Sequence, residues 1–84
     1  MTEFKKNTAA LRAQLEVGDI PLICKDADCV PNTLYSAWSR DNASDLKGKE
    51  QDAYNAFVKF VQKKVREKKQ WAARAAEVVA DLQE

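Results

Sequence analysis

From Lys49 to Glu84 the chain contains neither glycine nor proline. Within that stretch Tyr54, Val58, Val61, Val65, Lys68, Ala72, Ala75, Val79 and Leu82 are spaced alternately four and three residues apart, and Phe57, Trp71 and Val78 widen the stripe on one side. Positions that recur in this way share one face of an α-helix, so the pattern predicts one long helix. A spacing that averages about 3.5 residues suits a helix–helix seam as well as a face packed on a core. Lys64 and Lys68 interrupt the stripe and divide its work. Residues 49–65 are expected to cover the helices before them, and residues 71–84 to extend beyond. Apolar side chains on such an extension are costly in water, at about 25 cal/mol per Å². A second copy of the chain is the simplest cover, which makes Trp71, Ala75, Val78, Val79 and Leu82 the expected oligomerisation residues.

Three shorter helices precede it. Residues 3–15 carry Phe4, Leu11 and Leu15 on roughly one face, and Glu16-Val17-Gly18 ends that helix. Asp19 stands where an N-cap belongs, and Pro21 falls in a first turn, where its missing N–H has no intrahelical partner to lose. A second helix is expected over residues 20–27, with Ile20, Ile23, Cys24 and Ala27 inward. A third begins at Pro31 and turns Leu34, Ala37 and Trp38 inward. No alternating run of branched or aromatic residues exceeds four positions, so strands are not expected. The fold class is all-α, with no internal repeat.

At 84 residues the chain is one small domain of ordinary globular composition, 45% hydrophobic and 32% charged. It lacks the roughly 18 consecutive apolar residues of a membrane span, and its first residues, MTEFKKNTAAL, have no signal-peptide core, so a cytoplasmic location is expected. The net charge of +1 is unevenly spread. Residues 59–74 hold Lys59, Lys63, Lys64, Arg66, Lys68, Lys69 and Arg74 against Glu67 alone, whereas the last ten residues hold Glu77, Asp81 and Glu84 and no cation. A compact basic segment fits a polyanion-binding surface, and it equally fits a solvated helix face.

Chemistry has little to work with. There is no histidine, no glycine-rich phosphate loop and no evident carboxylate pair, so neither an enzyme nor a small-molecule substrate is expected. The two cysteines, in the segment CKDADC, have four residues between them: they form neither a C-x-x-C redox motif nor a zinc pair, and no other metal ligands accompany them. No metal and no cofactor are expected. Both thiols fall on inward positions, where a free cysteine behaves as a small hydrophobe.

The stretch from Asp19 to Arg40 resembles the helix-turn-helix of small bacterial and phage repressors, whose usual pattern reads I-A-x-x-A-G-V-S-x-x-T-V-Y-x-x-L. Ile23, Lys25, Ala27, Thr33 and Tyr35 match that pattern without a gap, and Leu34 and Trp38 keep its hydrophobic positions. Cys24 stands at its small alanine, Cys29 at its small branched residue, Asp28 at its turn glycine and Val30 at its capping serine. The resemblance implies a helix-turn-helix domain over residues 1–66, with residues 67–84 as the oligomerising helical extension. It implies a homodimer that binds double-stranded DNA, a transcription regulator with helix three in the major groove. Pro31, Asn32, Thr33, Tyr35, Ser36 and Ser39 would face base edges, and Lys25, Arg40, Lys47 and Lys49 would meet phosphates. Two other readings stay open: a DNA-packaging subunit resembling the small terminase of phages, and a helical protein–protein adaptor.

Overall fold

The computed structural model describes residues 2–83 and places four α-helices and one short 3₁₀ turn in them: α1 (Glu3–Arg12), α2 (Asp19–Ala27), α3 (Pro31–Ser39), the 3₁₀ turn Ala43–Asp45, and α4 (Lys49–Leu82). No strand occurs among the described residues. The fold is all-α.

α1 begins at Thr2, whose Oγ1 accepts the Lys5 N–H at 3.2 Å. It ends sooner than expected. After Arg12 the chain tightens into turns in which Gln14 N–H donates to Leu11 O and Leu15 N–H to Arg12 O. Leu15 still packs on the core, because tight three-residue turns commonly close a helix without redirecting it. Gly18, at φ +92°, is in a conformation that favours glycine, and it turns the chain into α2. Asp19 does not cap that helix forward as expected. Its carboxylate reaches back to accept the Glu16 N–H at 2.8 Å and the Lys64 ammonium at 2.6 Å, so it occupies the first helical position instead.

The end of α2 explains the cysteines. Asp28 takes up the left-handed conformation, φ +53° and ψ +51°, that glycine usually supplies in a helix-turn-helix. Cys29 N–H then donates to Cys24 O at 2.9 Å and Asp28 N–H to Lys25 O at 3.3 Å. These are the paired bonds of a Schellman ending, which brings the residue after the left-handed one against the residue five positions earlier. Those two residues are Cys29 and Cys24. Cys24 is buried and Cys29 half-buried, both thiols are free, and both belong to the core cluster. Burial pushes the Cys24 thiol up from its ordinary value, and the adjoining Cys29 thiol adds to the effect. Among the described residues no group of three or more potential ligands could hold a metal ion. The double variant Cys24→Ala, Cys29→Val keeps an apolar contact across this ending. We expect its thermal unfolding to shift by less than about 1.5 kcal/mol, the range of volume-conserving swaps. Loss of the folded state would show that the thiols do more than pack.

α3 starts from Val30 in extended conformation, with Pro31 at its first position and no side-chain cap. The core forms where α2 and α3 meet the first half of α4. Ile23, Leu34, Ala53 and Phe57 are wholly buried, with Cys24, Ala37, Trp38, Ala56 and Val61 around them. The Phe57 ring meets Trp38 edge-on at 5.1 Å and Tyr54 at 5.5 Å. Phe4 stacks on Tyr54 at 4.9 Å, and buried Thr8 hydrogen-bonds the Tyr54 hydroxyl at 2.7 Å, which fastens α1 to α4. The Arg12 guanidinium lies 4.4 Å over the Trp38 ring. The Trp38 Nε1–H is buried without an acceptor among the described residues, so no hydrogen bond there orients the indole.

The polar stretch between α3 and α4 is more ordered than its composition suggests. Asn42 and Asp45 cap one another's backbone across the 3₁₀ turn, which drives Leu46 into the core. At the start of α4, Glu50 accepts from Arg40 Nε at 3.1 Å and Nη2 at 3.0 Å and from the Lys47 N–H at 3.1 Å. Those donors hold the Glu50 carboxyl below its ordinary range.

α4 runs unbroken for 34 residues. At 1.5 Å per residue that is about 51 Å, nearly the whole 56 Å length of the molecule. Contact with the core ends near Lys64 and Val65, and residues 66–83 are all exposed. The exposed part stays helical because the core has already nucleated it and Ala72, Ala73, Ala75, Ala76 and Ala80 propagate it well.

Candidate nucleic-acid interface

The ending of α2 and the proline start of α3 leave only Asp28, Cys29 and Val30 between the two helices. Because Leu34, Ala37 and Trp38 turn inward, helical geometry sends Pro31, Asn32, Tyr35, Ser36 and Ser39 outward, and all five are exposed. Thr33 is half-buried at the edge of that face. Five of the six expected base-facing residues therefore form one continuous solvent-facing strip along α3. The Asn32 amide, near the helix start, forms no hydrogen bond with another side chain among the described residues. Ser39 differs, since its hydroxyl already donates to Ser36 O at 2.7 Å and is left as an acceptor.

The four expected phosphate-facing cations do not form one set. Arg40 is half-buried, and its guanidinium is committed to Glu50 by two hydrogen bonds, which ties the end of α3 to the start of α4. Lys49 donates to Asp28 O at 3.2 Å and lies 3.9 Å from the Asp28 carboxylate, so it braces the left-handed turn. Lys25 and Lys47 are exposed and form no ion pair among the described residues. Lys47 shares a shallow cleft with Asp41 and Asp45.

The basic run along α4 also divides. Lys64, one of the two residues that interrupt the apolar stripe, is an anchor for the α1–α2 turn. Its ammonium meets Asp19 at 2.6 Å and Glu16 at 3.3 Å, and it is only 17% exposed. The paired charges raise the lysine above its ordinary pKa and lower Asp19 below its own. Lys59 and Lys63, one helical turn apart, line a cleft with Leu22 and Asp26 on the outer flank of α2. Neither forms an ion pair among the described residues. Their four-residue spacing is plain in the sequence, but the packing of α4 against α2 decides that they flank this helix.

The expected oligomerisation residues lie together on the free part of α4. Trp71 is 72% exposed and Leu82 80%, with Val78 and Val79 about half exposed. Ala75 is exposed between them. No helix among the described residues is long and apolar enough to cross a membrane. Comparison with models of known families, with curated proteins and with solved structures found no match for this chain.

Proposed function

We propose that the chain is a DNA-binding protein that acts as a homodimer, in the manner of a small transcription regulator. One observation carries this reading: a helix, a three-residue turn with a left-handed aspartate, and a second helix whose outer strip presents Asn32, Tyr35, Ser36 and Ser39 while its inner side is buried. A strip of this length fits the major groove, and a side-chain amide near its start can pair with an adenine edge. Lys25 and Lys47 are the phosphate contacts of choice, since neither is tied to a carboxylate. Lys59 and Lys63 beside α2 add to them.

A second reading, a protein-binding adaptor, draws on a different observation. Val30 is 62% exposed and Tyr35 47% exposed at the α3 surface, beside few unpaired cations. Such a surface suits an apolar partner better than a polyanion.

A binding titration at several salt concentrations separates the two. On a selected duplex, Asn32→Ala is expected to lose about 1–3 kcal/mol and to lose little on scrambled DNA. Lys25→Ala or Lys47→Ala should weaken both duplexes alike and flatten the salt dependence, because fewer counterions are released. Equal losses for Asn32→Ala on both duplexes would show that α3 does not read bases. Absence of DNA binding at low salt leaves the adaptor.

A further inference from the structure

α4 leaves the core at Lys64, and the face it turned inward does not end there. Phe57, Lys64, Trp71 and Val78 follow at seven-residue steps, so the exposed Trp71 and Val78 continue the line that Phe57 buries. Charge changes sign along the same segment. Arg66, Lys68, Lys69 and Arg74 precede Glu77 and Asp81, and no cation follows Arg74.

We infer that residues 65–82 pair with the same residues of a second copy in antiparallel orientation. The inference rests on the homodimer reading above and is independent of DNA contact. In a parallel pair the basic half of each helix lies beside the basic half of its partner, and Asp81 beside Asp81. Reversing one helix places each basic half along the other's acidic end, so the summed charge of the two segments favours that direction. The heptad register that overlays residues 65–82 on themselves sets Val65 across from the partner's Leu82, Lys68 from the partner's Val79, and Ala72 from the partner's Ala75. Trp71 flanks the seam on the same side as the partner's Val78, and Arg66 and Asp81 lie on the outer faces. Lys68 lies in the seam, where its aliphatic stem packs and its ammonium reaches water.

Val17 supplies an independent reason for this direction. It is fully exposed, at 105%, in the turn whose neighbours Glu16 and Asp19 both hold Lys64. It therefore stands at the root of the free helix. In an antiparallel pair the partner's Val79 and Leu82 arrive at that root and give Val17 an apolar neighbour. In a parallel pair the partner's Val79 and Leu82 lie at the far end, away from Val17.

The test uses the full chain, with mass from light scattering and oxidative crosslinking of introduced cysteines. The unaltered chain serves as the blank for Cys24 and Cys29. We expect a dimer in which Lys68→Cys chains mixed with Val79→Cys chains crosslink. Leu82→Cys chains should not crosslink to one another, because the register separates the two positions by about 25 Å along the axis. Reversing charge with Arg66→Glu and Lys69→Glu should weaken association about tenfold at low salt, and adding Glu77→Lys and Asp81→Lys should restore it. Leu82→Cys chains that crosslink to each other, or tighter association of the Arg66→Glu, Lys69→Glu variant, would establish a parallel pair and overturn the inference while leaving the dimer. A chain that is monomeric at all concentrations overturns both. Neither readout involves DNA, so a failure of DNA binding is scored separately.

Discussion

Phe57→Ala is expected to destabilise the protein by about 3–5 kcal/mol, the usual loss for a buried aromatic. Phe57 is wholly buried at the junction of α3 and α4, with its ring edge-on to both Trp38 and Tyr54. Truncation removes those contacts together and leaves a cavity that three rigid helices cannot close. A chain this small has little to spare: at roughly 0.05–0.15 kcal/mol per residue its whole stability is on the order of 4–13 kcal/mol. The variant is therefore expected to be largely unfolded or to melt far below the parent in a circular-dichroism thermal scan. Trp71→Ala removes a larger ring that is 72% exposed, and it should move the core transition by no more than about 0.5 kcal/mol. If the two variants melt alike, Phe57 is not the centre of the core.

Much of this core is legible in the sequence. Ile23, Leu34, Ala37, Trp38, Phe57 and Val61 lie where helical periodicity puts them, and the scarcity of glycine and proline marks each boundary. The left-handed turn is visible as well, because Asp28 stands in the glycine position of a familiar pattern and aspartate tolerates that conformation. What periodicity does not reveal are contacts made by side chains acting across elements. Asp19 has the composition of an N-cap, yet Lys64, 45 residues later, helps to turn its carboxylate backward. Leu46 sits in a polar stretch and is buried only because Asn42 and Asp45 cap a turn beside it. Thr8 is buried through a hydrogen bond to Tyr54.

The candidate interface divides along the same line. The outer strip of α3 follows from local spacing, since inward Leu34, Ala37 and Trp38 determine which residues face out. The phosphate set does not, because counting cations cannot tell a free lysine from a braced one. Arg40, Lys49 and Lys64 are consumed by Glu50, Asp28 and Asp19, respectively. Lys25, Lys47, Lys59 and Lys63 form no ion pair among the described residues.

Deleting residues 70–84 is expected to abolish association altogether while leaving the core folded. Residues 66–83 are all exposed, and the last core contacts of α4 are made by Val61, Lys64 and Val65. The core transition should therefore move by no more than about 0.5 kcal/mol. Helical signal should fall only in proportion to the residues removed, and light scattering should report the mass of one chain at concentrations where the proposed dimer of the full chain forms. The full chain carries a further signature. Its tail is nucleated by the core, but about 18 exposed residues of helix fray unless something packs on them. Dilution below the dimer's dissociation constant should then lower the helical signal of the full chain and leave that of the truncated chain unchanged. A truncated chain that unfolds would place the tail within the core, against its exposure. A truncated chain that keeps the parent's oligomeric mass would move the interface to the exposed Leu22, Val30 and Tyr35 on α2, the turn and α3, where a partner chain would cover the strip proposed for DNA.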